Sequence, residues 1–461
     1  MVRRSTSAVA LAWCLSSCAS HDAAAARTSW DDLESKARGA VEKPGYESMD
    51  LPVDWEIHAG HVMTAAGTTF EPGVVIVEAG KLVYVGPADE QPLCARCKIV
   101  EAPTGWVTPG LIDTHSHLGV YPSPNANAHE DGNEMVAPTT PGVWAESSIW
   151  PYDPGFQRAV EGGVTALQIL PGSANLIGGR GMVARPIPER GGRAMRFPDA
   201  PETVKMACGE NPKRVYGEKG GPATRMGNVR GQRAAFAKAE SYLDRWDDDA
   251  KDAPDRDLDM DTLMGILRGD FLVQVHCYRS DDMITFLQIA DEFGFKVRSF
   301  HHAVEAYKVR DILAERDIGV STWSDWWGFK MEAFDAVLPN AAMLQDQGVR
   351  VAVHSDSDIG IQRLNQEAAK AQADGGDAGF PVTDDQALRW ITANPAWILG
   401  IDEQTGTLEA GKRADVVLWD AKPLSVYAKA DKVWIDGMLV HDVEHPVPPW
   451  SDFEIGQEVG R

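Results

Sequence analysis

With 461 residues, the chain is long enough for one large barrel-type domain and a smaller one beside it. Its 68 acidic against 44 basic residues leave a net charge of −24, which argues against a nucleic-acid partner because phosphate binding wants a basic face. The surplus of acid reads as solvated surface.

The amino terminus has the pattern of an export signal. Arg3-Arg4 precede a short apolar stretch, Ala8–Leu15, too short to span a bilayer. Leu15-Ser16-Ser17-Cys18 then reads as a lipobox, whose cysteine is acylated once the signal is cut; an ordinary signal peptide cleaved near residues 23–26 is the alternative. The expectation is a signal over 1–18, a polar tether over 19–51, and a mature body on the periplasmic side of the cell envelope. Lipid at Cys18 would be its only membrane association, since no later stretch is apolar enough to cross a membrane.

From Trp55 the pattern becomes strand-like. Ile57, Val62, Gly73–Val77 and Lys81–Gly86 are short β-rich runs split by Gly and acidic turns. Cys94-Ala95-Arg96-Cys97 lacks a second Cys or His pair to complete a zinc tetrahedron, so a small-loop disulfide is expected ahead of free thiols or redox chemistry. From about 109 to 404 apolar strands alternate with helical periodicity, the signature of a parallel βα architecture. Strand candidates are Leu111–Leu118, Val164–Leu170, Val204–Cys208, Leu272–Cys277, Val297–His302, Gly319–Thr322 and Val349–His354. Helical periodicity runs through Gly231–Trp246, Asp281–Phe293, Ala303–Arg316 and Arg363–Gln372. A closed barrel of eight units needs about 250 residues, which this span supplies, although only seven strands can be pointed to. Asp255, Asp257, Asp259 and Asp261 alternate like a calcium loop, but Met260 stands where glycine is needed and Ile266 where a glutamate is. After 404 short strands return at Gly406–Leu408, Ala414–Trp419 and Lys432–Gly437. Neither terminal β segment can bury a core alone, so 52–108 and 405–445 are expected to pair into one small domain, with 446–461 as a tail.

The chemistry concentrates at strand ends, where a βα barrel carries its reactive groups. An apolar run from Trp106 leads into His115 and His117, two residues apart on one face of a strand, so that both imidazoles can reach one divalent ion. His276 ends the run from Leu272, His301-His302 end the run from Val297, and Asp356 follows Val351-Ala352-Val353-His354-Ser355. Each alone is an ordinary core or loop residue; the order His-x-His, His, His, Asp is specific.

In these features the chain resembles the amidohydrolase superfamily, most of all its imidazolonepropionase-related branch with Xaa-Pro dipeptidase-like members. The matching stretches are Pro109–His117, Asn175–Gly179, Val275–Asp282, Phe300–Lys308, Ser355-Asp356, Thr392–Ala396 and Gly411–Asp415. The resemblance implies an α/β fold: a TIM (β/α)8 barrel with a small composite β-sandwich from both chain ends. It implies a divalent metal, zinc by preference, as one or two ions held by His115, His117, His276, His302 and Asp356. His302 is chosen over His301 because a small residue follows it and because strand alternation sends His301 to the other face. Many members of the branch also carry a carbamylated lysine bridging two metals, for which Lys205 is the candidate. Glu210 is the alternative ligand there, and neither would give a one-metal site.

The implied activity is hydrolysis of a C–N bond in a small-molecule amide, dipeptide or cyclic amide by metal-activated water, with Asp356 as general base and then acid. Asp113 is a candidate to orient a histidine. Tyr278 and Arg279 are candidates to anchor a substrate carboxylate. His354 shares a face with Asp356 and fills the barrel. A deaminase or lactone/ester hydrolase on the same scaffold is the alternative, and a non-catalytic binding lipoprotein the third reading. The oligomeric state stays open, a homo-oligomer included.

Overall fold

The computed structural model describes residues 53–123, 127–248 and 254–446. The lipobox, the tether and the tail from 447 onward lie outside the described residues. Two eight-stranded sheets organise the rest. The first takes β1 (Trp55–Met63), β2 (Thr69–Phe70), β3 (Gly73–Glu78), β4 (Lys81–Pro87) and β5 (Lys98–Pro109) from the start of the chain. Its remaining strands come from the other end.

The second sheet is the barrel: β6 (Leu111–Ser116), β7 (Val164–Ile169), β8 (Ile177–Ala184), β9 (Thr203–Ala207), β10 (Leu272–Cys277), β11 (Val297–His302), β12 (Gly319–Thr322) and β13 (Val351–Val353). Then β14 (Val416–Trp419), β15 (Ala430–Ile435) and β16 (Met438–Asp442) return to the first sheet. Its order is β16-β15-β14-β5-β1-β3-β4, with β2 on β1. The seam between the two chain ends is the antiparallel ladder of β14 on β5, from Val416 opposite Pro109 to Trp419 opposite Trp106. Ile57, Val75, Val107, Val416 and Trp434 pack into one core beneath it, apolar area that neither terminal segment could cover alone. The small-loop disulfide Cys94–Cys97 forms at the edge of this unit.

The barrel strands are buried along all but a residue of their length, which is why most of them read as apolar runs rather than alternating ones. Gly110 carries the chain from β5 into β6 past Thr165, whose Oγ1 would stand 2.0 Å from any added Cβ. No larger residue fits at that junction. The ring closes where the backbone N–H of Asp356, after β13, donates to the carbonyl of His115 in β6 at 3.0 Å.

The sheet differs from the expected one in a single strand. The eighth strand is β8, which contains the end of the Asn175–Gly179 stretch and runs antiparallel to both β7 and β9. Gly178, Gly179 and Gly181 hide it from a β-propensity reading. Gly179 has φ +113°, and its missing side chain makes room for the Val143 carbonyl.

The helix expected over Ala303–Arg316 shrinks to Arg310–Glu315 after a short 3-10 turn. His302 and Ala303 take positive φ and swing the chain away from the barrel wall first. The acidic run that imitates a calcium loop is spent on structure. Asp257 caps the helix Leu258–Arg268, Asp259 accepts from the backbone of Gly142, and Asp261 pairs with Arg256.

Candidate metal centre

The end of β6 points His115 into the barrel mouth, where the residue is 1 % exposed. His117, just beyond the strand, donates from Nδ1 to the Leu170 carbonyl at 2.8 Å, which leaves its Nε2 lone pair free. Asp356 comes in from the end of β13 with φ +48°, a left-handed conformation that costs an L-residue and is held here by the ring-closing hydrogen bond. Its Oδ1 lies 3.3 Å from His117 Nε2 and 3.7 Å from His115 Nε2, and its Oδ2 lies 3.8 Å from His302 Nδ1. Lys205, at the middle of β9, reaches in until Nζ is 3.2 Å from His115 Nε2 and 3.2 Å from the Pro171 carbonyl. The rings of His276 and His302 meet at 4.5 Å. The six side chains expected to form the centre, His115, His117, Lys205, His276, His302 and Asp356, thus converge on one place. Glu210 turns instead toward Lys330, 3.5 Å away.

A buried relay sets the tautomer of His115. The Gln274 amide donates to the Ile398 carbonyl at 3.4 Å, so its Oε1 faces His301 and accepts from His301 Nε2 at 2.9 Å. His301 Nδ1 is then an acceptor, and His115 Nδ1, 2.9 Å away, must donate to it. His115 Nε2 is left as a lone pair directed at Asp356 and Lys205. Ser299 holds the far side of His301 at 2.8 Å.

This geometry corrects the expectation that His301 faces away from the site. His301 shares the interior face with Ser299, as alternation requires. It is His302 that departs from the pattern, its φ of +68° turning the side chain back over the mouth. Adjacent histidines therefore serve the same centre, one above and one below.

Asp113 acts on backbone rather than on an imidazole. Its Oδ1 accepts from the N–H of His115 at 3.1 Å and of Ser355 at 3.2 Å, while the Ser355 hydroxyl donates to Oδ2. It fastens β6 to the segment that carries Asp356.

Tyr278 is buried and stacks on His302 with ring centres 5.1 Å apart. Arg279 does not enter the site. Its guanidinium forks onto Asp281 at 2.8 Å with the side chain 42 % exposed. The cation over the Tyr278 ring is Lys330, 3.8 Å from its centre, supplied by the segment after β12. The disulfide Cys208–Cys277 also escaped the sequence reading. It ties the ends of β9 and β10 next to His276, in register only once those strands pair.

Burial and then the charge of Lys205 hold His115 far below the ordinary histidine range. Burial does the same first of all to His276 and His302. All three are therefore neutral, the form that coordinates a cation. Burial likewise brings Lys205 down to about 7, against the opposing pull of Asp356. Burial pushes Asp113 up to about 7 despite its hydrogen bonds. Burial is the largest influence on Asp356 and would raise it, but the neighbouring His117, His354 and Lys205 together outweigh it and keep the carboxyl below the usual carboxylate range. A neutral nitrogen set facing an ionised carboxylate is the donor chemistry of a zinc-type cation. Nδ1 of His276 and of His302 are buried without a hydrogen-bond partner among the described residues, and such nitrogens suit a cation.

The comparisons identify the family. The sequence model of the amidohydrolase family matches residues 332–441. A solved amidohydrolase structure from Thermotoga maritima superposes with TM-score 0.77 at 34 % identity, covering 84 % of this chain and 99 % of that one. The amidohydrolase tasK of Hapsidospora irregularis is 37 % identical over 401 residues, 80 % of this chain. The chain spans 40 % of that relative's length. A 5-methylthioadenosine/S-adenosylhomocysteine deaminase of Desulforudis audaxviator is 26 % identical over 392 residues, 79 % of this chain and 84 % of its own. The chain belongs to the amidohydrolase family.

Proposed function

We propose that the protein is a metal-dependent hydrolase that cleaves the C–N bond of a small amide, dipeptide or cyclic amide. The observation that carries the reading is Asp356, an ionised carboxylate whose Oδ1 lies within 3.7 Å of the free Nε2 of both His115 and His117. One or two divalent ions there would acidify a water and polarise the scissile carbonyl. His115, His117, His276, His302 and Asp356 would hold them, with Lys205 as a carbamylated bridge. The side chain of Asp356 is 23 % exposed, so it meets both the cation position and the open mouth. It takes the proton from the attacking water and returns it to the leaving nitrogen. Asp113 keeps that carboxylate in place by tying Ser355 to the His115 backbone. Tyr278 and Trp323 wall the mouth beside His302 and keep bulk water off its ring.

The relative named a deaminase supports a second reading, in which the leaving nitrogen departs as ammonia from a ring carbon. A panel of Xaa-Pro dipeptides, N-acyl amino acids, cyclic amides and aminopurines separates the two by product. On any substrate that is turned over, Asp356→Asn should retain most of the metal and lose about 10²–10⁴-fold in kcat. His115→Ala should lose metal and activity together. Near wild-type turnover by Asp356→Asn removes the proton shuttle from the mechanism.

A further inference from the structure

His354 immediately follows β13 and fits none of the roles assigned so far. The residue is 1 % exposed, anchored by its backbone N–H on the Thr322 carbonyl at 3.1 Å. Its ring lies nearly parallel to that of His115 at 5.2 Å, and edge-on to that of His302 at 5.1 Å. Neither of its ring nitrogens has a hydrogen-bond partner among the described residues. An unpaired polar group in such surroundings is costly to bury, and a phenyl ring would fill the same volume without that cost. The imidazole is therefore placed for a partner that arrives from the mouth.

One ligand atom on each of His115, His302 and His354 falls within 4.8 Å of the others, as it does for the group His115, His117 and Asp356. Two cation positions thus share His115. Yet His115 donates from Nδ1 to His301 and keeps one lone pair, on Nε2, so it serves one ion at a time. An ion held by His115, His117 and Asp356 leaves His302 and His354 to face each other across the second position. Their ligand atoms lie within 4.8 Å of one another, near the separation that two bonds of about 2.0–2.1 Å to one ion span.

We propose that His354 is a metal ligand, completing with His302 a second cation position beside the one at His115, His117 and Asp356. It rests on the metal-centre reading above and adds to it a nitrogen ligand that makes the second position less dependent on Lys205.

Cobalt(II) titration of the apo-protein tests this, followed by visible absorption and metal analysis, with thermal unfolding of each apo-variant as a fold control. In His354→Phe the first cobalt should bind as in wild type. The second should bind at least about 10–100-fold more weakly, with loss of its ligand-field bands. His354→Gln, which offers an oxygen in place of nitrogen, should shift those bands, and it serves as the test if the Phe variant fails to fold. Unchanged stoichiometry, affinity and spectrum in a folded His354 variant overturn the proposal while leaving the metal centre standing. A wild-type protein that binds no cobalt overturns both.

Discussion

The relay behind His115 can be broken at the residue farthest from the cation. Gln274 is fully buried in β10, two residues before His276, and its Oε1 accepts from both His301 and Ser299. Gln274→Leu keeps the bulk and removes that acceptor. Three hydrogen bonds at about 0.5–1.5 kcal/mol each, the one to the Ile398 carbonyl included, place the stability loss near 1.5–4.5 kcal/mol. The second effect is on the cation. Without Gln274, Ser299 can donate to His301 Nε2, and His301 takes its other tautomer with the proton on Nδ1. That proton faces His115 Nδ1, and His115 relieves the clash by moving its own proton to Nε2, where the metal lone pair was. Such a change behind a ligand typically costs about 10–100-fold in metal affinity. Chelator competition on folded protein reads the affinity, and urea unfolding of the apo-form reads the stability. Gln274→Glu restores an acceptor and should recover the affinity. A Gln274→Leu protein that loses stability but binds metal within twofold of wild type would refute the relay.

Two other expectations follow from the same residues and from the amino terminus. Because burial brings Lys205 to about 7, about half of its amine is neutral at pH 7, against about 0.03 % for an ordinary lysine. Carbamate forms from the neutral amine and dissolved CO2, so reactivation of the apo-enzyme at a fixed CO2 concentration should climb between about pH 6 and 8 and then level off, and should be absent in Lys205→Ala. A rate still rising tenfold per pH unit beyond 9 contradicts it. In the apo-form the lowered value also makes stability rise with pH between about 7 and 10.5, where only the unfolded chain keeps that proton. For the lipobox, Cys18→Ala should leave the protein unacylated and shift it out of the membrane fraction; unchanged fractionation rejects lipid anchoring.

The centre was legible because its histidines and its aspartate each close or follow a short apolar run, a local pattern that survives without any knowledge of neighbours. What the sequence concealed depends on neighbours or on single backbone angles. The positive φ of His302 is invisible in Ser299-Phe300-His301-His302, so alternation sent His301 to the outside although both histidines serve the centre. Three of the eight residues of strand β8 are glycines that serve close packing rather than β propensity. Cys208 and Cys277 are 69 residues apart and become a pair only in the register of β9 on β10.

Arg279 shows the same limit from the other side. Its spacing from His276 suggested a hand reaching into the mouth, but it stands at the start of the helix Ser280–Phe293, where Asp281 in the first turn captures it. The cation near Tyr278 comes instead from Lys330, more than fifty residues later. Lys330 also lies 3.3 Å from the side-chain oxygen of Asn211, whose amide nitrogen is 3.4 Å from His276 Nε2. Side chains that hold the centre sit at the ends of strands and can be read in order, whereas those around its rim come from loops that meet only after the barrel has closed.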